Sequence, residues 1–126
     1  MAGLSHSHVK GPGVPALEEL TIPDFLARTV AAQRSHDACV FSESGERWSW
    51  KQLSEKVDEL AAGLLAEGIC RGDRVGIWAP NRPEWLLTQF ATARIGAILV
   101  NINPAYRRAE LQYALAKAGV KALITA

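Results

Sequence analysis

The chain has 126 residues, 48% of them apolar, enough to build a hydrophobic core. Lys and Arg number 14 against 13 Asp and Glu, and a net charge of +1 gives no pull towards nucleic acid or an anionic membrane surface. No apolar run reaches the length of a transmembrane segment, and the two cysteines, Cys39 and Cys70, match neither a C-x-x-C nor a zinc spacing.

Residues 1–15 are rich in Gly, Pro, Ser and His and are expected to be a flexible tail. They contain no arginine and no apolar h-region, which argues against a secretory or mitochondrial leader and points to a cytoplasmic protein. His6 and His8 alternate but lack a third ligand nearby, so no metal site is assigned to them. A first helix is predicted over residues 23–33, with Thr21 as its cap and Phe25, Leu26, Thr29 and Val30 as its buried face. A hairpin follows, with strands at 38–41 and 47–49 around a turn in which Gly45 supplies positive φ. Cys39 lies in the first strand and Cys70 at a later helix–strand junction; both are expected to be buried, reduced thiols.

Ser49 and Gln52 have the spacing of a capping box and open a second helix. Leu53, Val57, Leu60, Ala61, Leu64 and Leu65 recur at helical spacing along it, and Gly68 ends it. Arg71-Gly72-Asp73 is better explained as a helix-to-strand turn than as an adhesion tripeptide. Strands are then predicted at 75–79 and 97–102, apolar on both faces and joined by a helix that Pro83 starts and Gly96 closes. In that helix Trp85, Leu86, Phe90 and Ala93 are expected to face the sheet. Asn103-Pro104 breaks the second strand, a helix over 107–118 presents Leu111, Ala114, Leu115 and Ala118 on one face, and a third strand occupies 120–125. The result is an α/β chain of βαβαβ units, with open sheet edges that suggest an incomplete larger domain.

Chemistry-bearing motifs are absent. The sequence has no Walker-type G-x-x-x-x-G-K-[ST], no G-x-G-x-x-G, no G-x-S-x-G elbow and no H-E-x-x-H. His36 beside Asp37 is too little for acid–base work. The four tryptophans, Trp48, Trp50, Trp78 and Trp85, are explained by packing before ligand stacking.

From Arg47 onward the chain resembles the opening portion of the acyl-adenylate-forming enzymes, the AMP-binding superfamily. The resemblance rests on Ser49-Trp50-x-x-Leu53, Gly68-Ile69 with Gly72-Asp73-Arg74-Val75, Pro80-Asn81 with Glu84-Trp85, and Ala93-Arg94-Ile95-Gly96-Ala97, in family order. Val100-Asn101-Ile102-Asn103-Pro104-Ala105-Tyr106-Arg107 is similar to fatty-acyl-CoA ligases of the type called acyl-CoA synthetase family member 2. The resemblance implies the N-terminal part of the large domain over residues 16–126. It also implies a parent enzyme that converts a carboxylate and ATP to an acyl-adenylate and then to a coenzyme A thioester, with magnesium. Fatty acid and coenzyme A would be its substrates. The family's reacting groups lie further along than this sequence runs, so no catalytic, cofactor-binding or metal residue is carried over, and no cofactor is expected to bind these residues alone. A small non-catalytic α/β module that binds a nucleotide or partner, and an unstable fragment, remain alternatives. Oligomeric state and acyl chain length stay open.

Overall fold

Local capping chemistry sets the helices. Thr21 accepts from the Asp24 N–H (3.3 Å) and starts α1, Ile22–Gln33, with Pro23 in its first turn. Ser49 accepts from the Gln52 N–H (3.2 Å) while the Gln52 side chain accepts from the Ser49 N–H (2.9 Å), the reciprocal box that opens α2, Trp50–Ala66. Gly68 takes φ +79° just past its end, and the Ile69 N–H returns to the Leu64 carbonyl. A computed structural model describes residues 11–125. His6 and His8 lie outside the described residues, and residues 11–21 carry neither helix nor strand.

Between α1 and α2 the chain forms an antiparallel hairpin of β1, Asp37–Val40, and β2, Arg47–Ser49. The second sheet is parallel, in the order β4-β3-β5, with β3 at Arg74–Trp78, β4 at Ile98–Asn101 and β5 at Ala122–Thr125. Helix α3, Pro83–Ile95, carries the chain from β3 to β4, and α4, Arg108–Ala118, carries it from β4 to β5. The two crossovers lie on opposite faces. Val75 of β3 joins the core with Leu53, Val57, Ala61 and Ala91, while Gly76 looks towards Ile102, Val120 and Leu123 beneath α4. A Cβ at Gly76 would meet side-chain carbons of those three at 3.0–3.2 Å, so a larger residue there would require them to shift.

Three expectations are corrected. In α3 the deeply buried residues are Thr88, Ala91 and Thr92, and Trp85, Leu86, Phe90 and Ala93 are only half-buried. The helix is wedged between α2 and the sheet. The threonine hydroxyls are satisfied within the helix, Thr88 donating to the Glu84 carbonyl (2.8 Å) and Thr92 to that of Thr88 (2.8 Å). Phe25 is exposed, with the Arg28 guanidinium 4.8 Å over its ring, because α1 meets the core through Leu26 and the half-buried Val30. The cysteines are free, but Cys39 is half-buried and Cys70 is exposed, its thiol turned back to the Gly68 carbonyl. Burial pushes the Cys39 thiol up from its ordinary pKa.

Candidate functional site

In an open parallel sheet, ligands bind outside the carboxyl ends of the strands where the strand order reverses. Here that point lies between β3 and β5. A cleft of about 250 Å³ opens there, floored by Ile77, Ala79 and Ile124 and rimmed by Arg82, Glu84, Trp85 and Thr125. On the other side of the same loop, residues 80–84 and the hairpin turn around Ser42, Glu43 and Ser44 enclose a broader depression. Trp78 leaves the strand end by donating its Nε1–H to the Asn103 carbonyl (3.2 Å), which ties the β3 end to the turn after β4. In that turn Asn103 Oδ1 accepts from the Ala105 N–H (2.9 Å).

The two charged groups of the cleft are paired with each other. Arg82 Nε lies 3.3 Å from Glu84 Oε2. The Glu84 carboxylate also accepts from its own backbone N–H, and these contacts hold its carboxyl below its ordinary pKa. A carboxylate therefore already occupies the positive end of the α3 dipole. Among the described residues, no three His, Cys, Asp or Glu side chains are grouped to hold a metal.

At the opposite, N-terminal edge of the sheet the charges clamp elements together. Lys121 Nζ donates to Asp73 (2.6 Å) and to the Gly68 carbonyl (2.7 Å), while Asp73 accepts from the Cys70 N–H (2.7 Å). Lys121, then the Cys70 N–H, hold the Asp73 carboxyl below its ordinary value of 3.8. A carboxylate depressed by folding stabilises the fold above its unfolded pKa, and that stabilisation disappears as pH falls through the lower, folded value. Asp73→Asn should therefore flatten the acid limb of a stability–pH curve below pH about 4 without changing its shape between about 6 and 8. An acid limb equally steep in the variant would show that Asp73 is not linked to folding.

The model of the AMP-binding enzyme family matches residues 26–126. The chain belongs to that family. It is 43% identical to the human (Homo sapiens) medium-chain acyl-CoA ligase ACSF2, mitochondrial, over 94% of this chain and 19% of that protein. It is 45% identical to the acyl-CoA ligase SID4 of Ajellomyces capsulatus, over 91% of this chain and 20% of that protein. The chain thus spans about a fifth of the length of the curated relatives it matches. Among solved structures, a fatty acyl CoA synthetase of Mycobacterium tuberculosis superposes with a TM-score of 0.80 at 28% identity, over 83% of this chain and 21% of that one. The N-terminal subdomain of Klebsiella oxytoca NpsA, in complex with anthranilyl-AMSN, gives 0.78 at 26% identity, over 83% and 27%. The fold is that of a part of the N-terminal subdomain of adenylate-forming enzymes, of which the chain covers 27% in the NpsA structure.

The sequence elements that carry the family likeness all fall at junctions. Ser49, Trp50 and Leu53 begin α2, and Gly72 to Val75 turn the chain into β3. Pro80, Asn81, Glu84 and Trp85 turn it from β3 into α3, Ala93 to Ala97 span the α3–β4 corner, and Val100 to Arg107 leave β4. No catalytic or cofactor residue was assigned from the sequence, and the clefts supply no phosphate cradle. Arg82 is engaged by Glu84, and the turn after β3 carries two prolines in place of donor N–H groups. These residues do not fit a magnesium–nucleotide site. The cleft itself went unnoticed in the sequence, where the reversal of strand order after β3 would have been its signal.

Proposed function

We propose that this chain is the N-terminal portion of an ATP-dependent fatty-acyl-CoA ligase, comprising residues 16–126 of its large domain behind a 15-residue tail. The observation that carries the reading is identity of 43% spread over 94% of the chain to a medium-chain acyl-CoA ligase. In the parent enzyme a fatty carboxylate reacts with ATP, with magnesium, to give an acyl-adenylate and pyrophosphate. Coenzyme A then displaces AMP to form the thioester. The residues described above serve as scaffold: they set the sheet and the strand-end loops against which later segments assemble. Such chemistry needs a cation and several donors around phosphoryl oxygens, and these residues do not supply them, so the 126-residue chain is inactive alone. We propose a cytoplasmic location for this chain, whereas the ACSF2 relatives are mitochondrial by name.

Two measurements test this. The purified chain, given medium-chain fatty acids, ATP and magnesium, should show no carboxylate-dependent ATP–pyrophosphate exchange above a buffer control, and clear exchange would overturn the claim of inactivity. Reading the nucleotides beyond the Ala126 codon should reveal a Ser/Thr/Gly-rich loop containing a lysine. Unrelated sequence there would favour a small α/β nucleotide- or partner-binding module instead.

A further inference from the structure

The two ends of the parallel sheet are held by different means. At its N-terminal edge charged side chains bind one corner to the next: Lys121 to Gly68 and Asp73, and Arg74 through Nε to the Ala118 carbonyl (3.1 Å). At the carboxyl edge the loops carry Pro80, Pro83 and Pro104, which have no N–H to offer. What crosses from one strand end to the next there is the bond from the Trp78 Nε1–H to the Asn103 carbonyl, between residues 25 apart in the chain. In open parallel sheets the loops leaving this edge carry the ligand contacts. A loop fixed in place beforehand does not have to be ordered when a ligand arrives.

Strand alternation and turn chemistry together produce that bond. Trp78 is the last residue of β3, two beyond Gly76, so it shares the face that α4 covers, and its half-buried ring lines a groove with Leu111, Leu115 and Val120. After the bond from the Ile102 N–H to the Ile77 carbonyl (3.0 Å), the chain leaves β4 and turns. The turn is shaped locally. Pro104 has a fixed φ, Asn103 Oδ1 accepts from the Ala105 N–H (2.9 Å), and the Asn103 carbonyl accepts from the Tyr106 N–H (3.0 Å). Those contacts lie within the turn and do not determine its place over β3. A carbonyl has two lone pairs, and the second one of Asn103 takes the Trp78 indole. That bond fixes where the turn sits.

We propose that Trp78 is a positioning residue, whose indole N–H, and not the packing of its ring, sets the 103–107 turn and the entry to α4 against the end of β3. The consequence for chemistry rests on the ligase reading above: in the parent enzyme this strand-end turn stands in place before substrate binds. The placement of the turn in this chain does not depend on that reading.

Backbone order parameters from NMR relaxation on the full chain separate the N–H from the ring. Trp78→Phe keeps an aromatic ring and removes the donor, and Trp78→Leu removes both. In the unsubstituted chain the amides of Asn103, Ala105 and Tyr106 should be as rigid as those of α2, with order parameters of about 0.85. In both variants they should fall below about 0.6 while the middle of α2 stays at about 0.85. A turn that stays rigid in Trp78→Phe, a drop confined to Trp78→Leu, or a turn already flexible in the unsubstituted chain would each overturn the positioning role. Equal loosening of α2 would overturn it too, because it would mark a general loss of structure. Activity is not read in this measurement, so its failure is distinct from a failure of the ligase reading, which the sequence beyond Ala126 decides.

Discussion

Trp48→Ala is expected to lower the unfolding free energy by about 3–5 kcal/mol, the largest loss of any single substitution considered for this chain. Trp48 is the middle residue of a strand of only three, yet it is 5% exposed and belongs to the main core. Its ring meets Phe41 edge-on, with centroids 4.8 Å apart and planes at 69°, and the Lys56 ammonium lies 4.9 Å from its centroid. Its Nε1–H donates to Glu46. An aromatic pair is worth about 0.5–1.5 kcal/mol beyond its area, and a partly exposed cation–π contact about 0.5–1 kcal/mol. Lost area and the cavity left behind therefore dominate. The hairpin's other core contacts come from the half-buried Ala38, Cys39 and Phe41, so Trp48 is its one fully buried anchor. Urea denaturation followed by circular dichroism should show a lower midpoint at an unchanged slope. A loss below about 1 kcal/mol would mean that the hairpin is not part of the cooperative core.

The parts of the fold legible in the sequence are those decided by neighbours along the chain. Thr21, the Ser49–Gln52 pair, Gly45, Gly68 and Gly119 each act within a turn of themselves, and each sits where its side chain, or lack of one, is needed. Helix bounds and the parallel sheet follow from these and from the apolar runs. What was not legible depends on which element lies against which. The inward face of α3 could not be read from hydropathy, because a helix covered on two sides is apolar nearly all round and its buried threonines look polar. Phe25 looked like core because it shares a face with Leu26, but the elements packed on α1 stop short of it. The strand-end cleft needs the order β4-β3-β5, which no single stretch encodes. Family membership was legible because the recognisable residues fall at corners, where geometry restricts the choice.

Leu53→Ala is the second large effect expected, a loss of about 2–5 kcal/mol. Leu53 lies one turn into α2 at 2% exposure, among Val57, Val75 and Ala91, where hairpin, helices and sheet converge. Truncation there leaves a void that three layers of structure would have to collapse to fill, and β3 is held by ladder hydrogen bonds on both sides. Little relaxation is available, which places the effect in the upper half of the range. Leu65 gives the internal comparison. Helical spacing puts it in the same apolar stripe, but it is 54% exposed beside the buried Leu64. Leu65→Ala should stay within about 0.5 kcal/mol of the parent chain. Measured side by side in the same denaturant series, the two leucines separate the packing seen in the structure from the periodicity of the sequence. Equal losses would mean that α2 is buried along its whole apolar stripe, and the face that the structure assigns to it would be wrong.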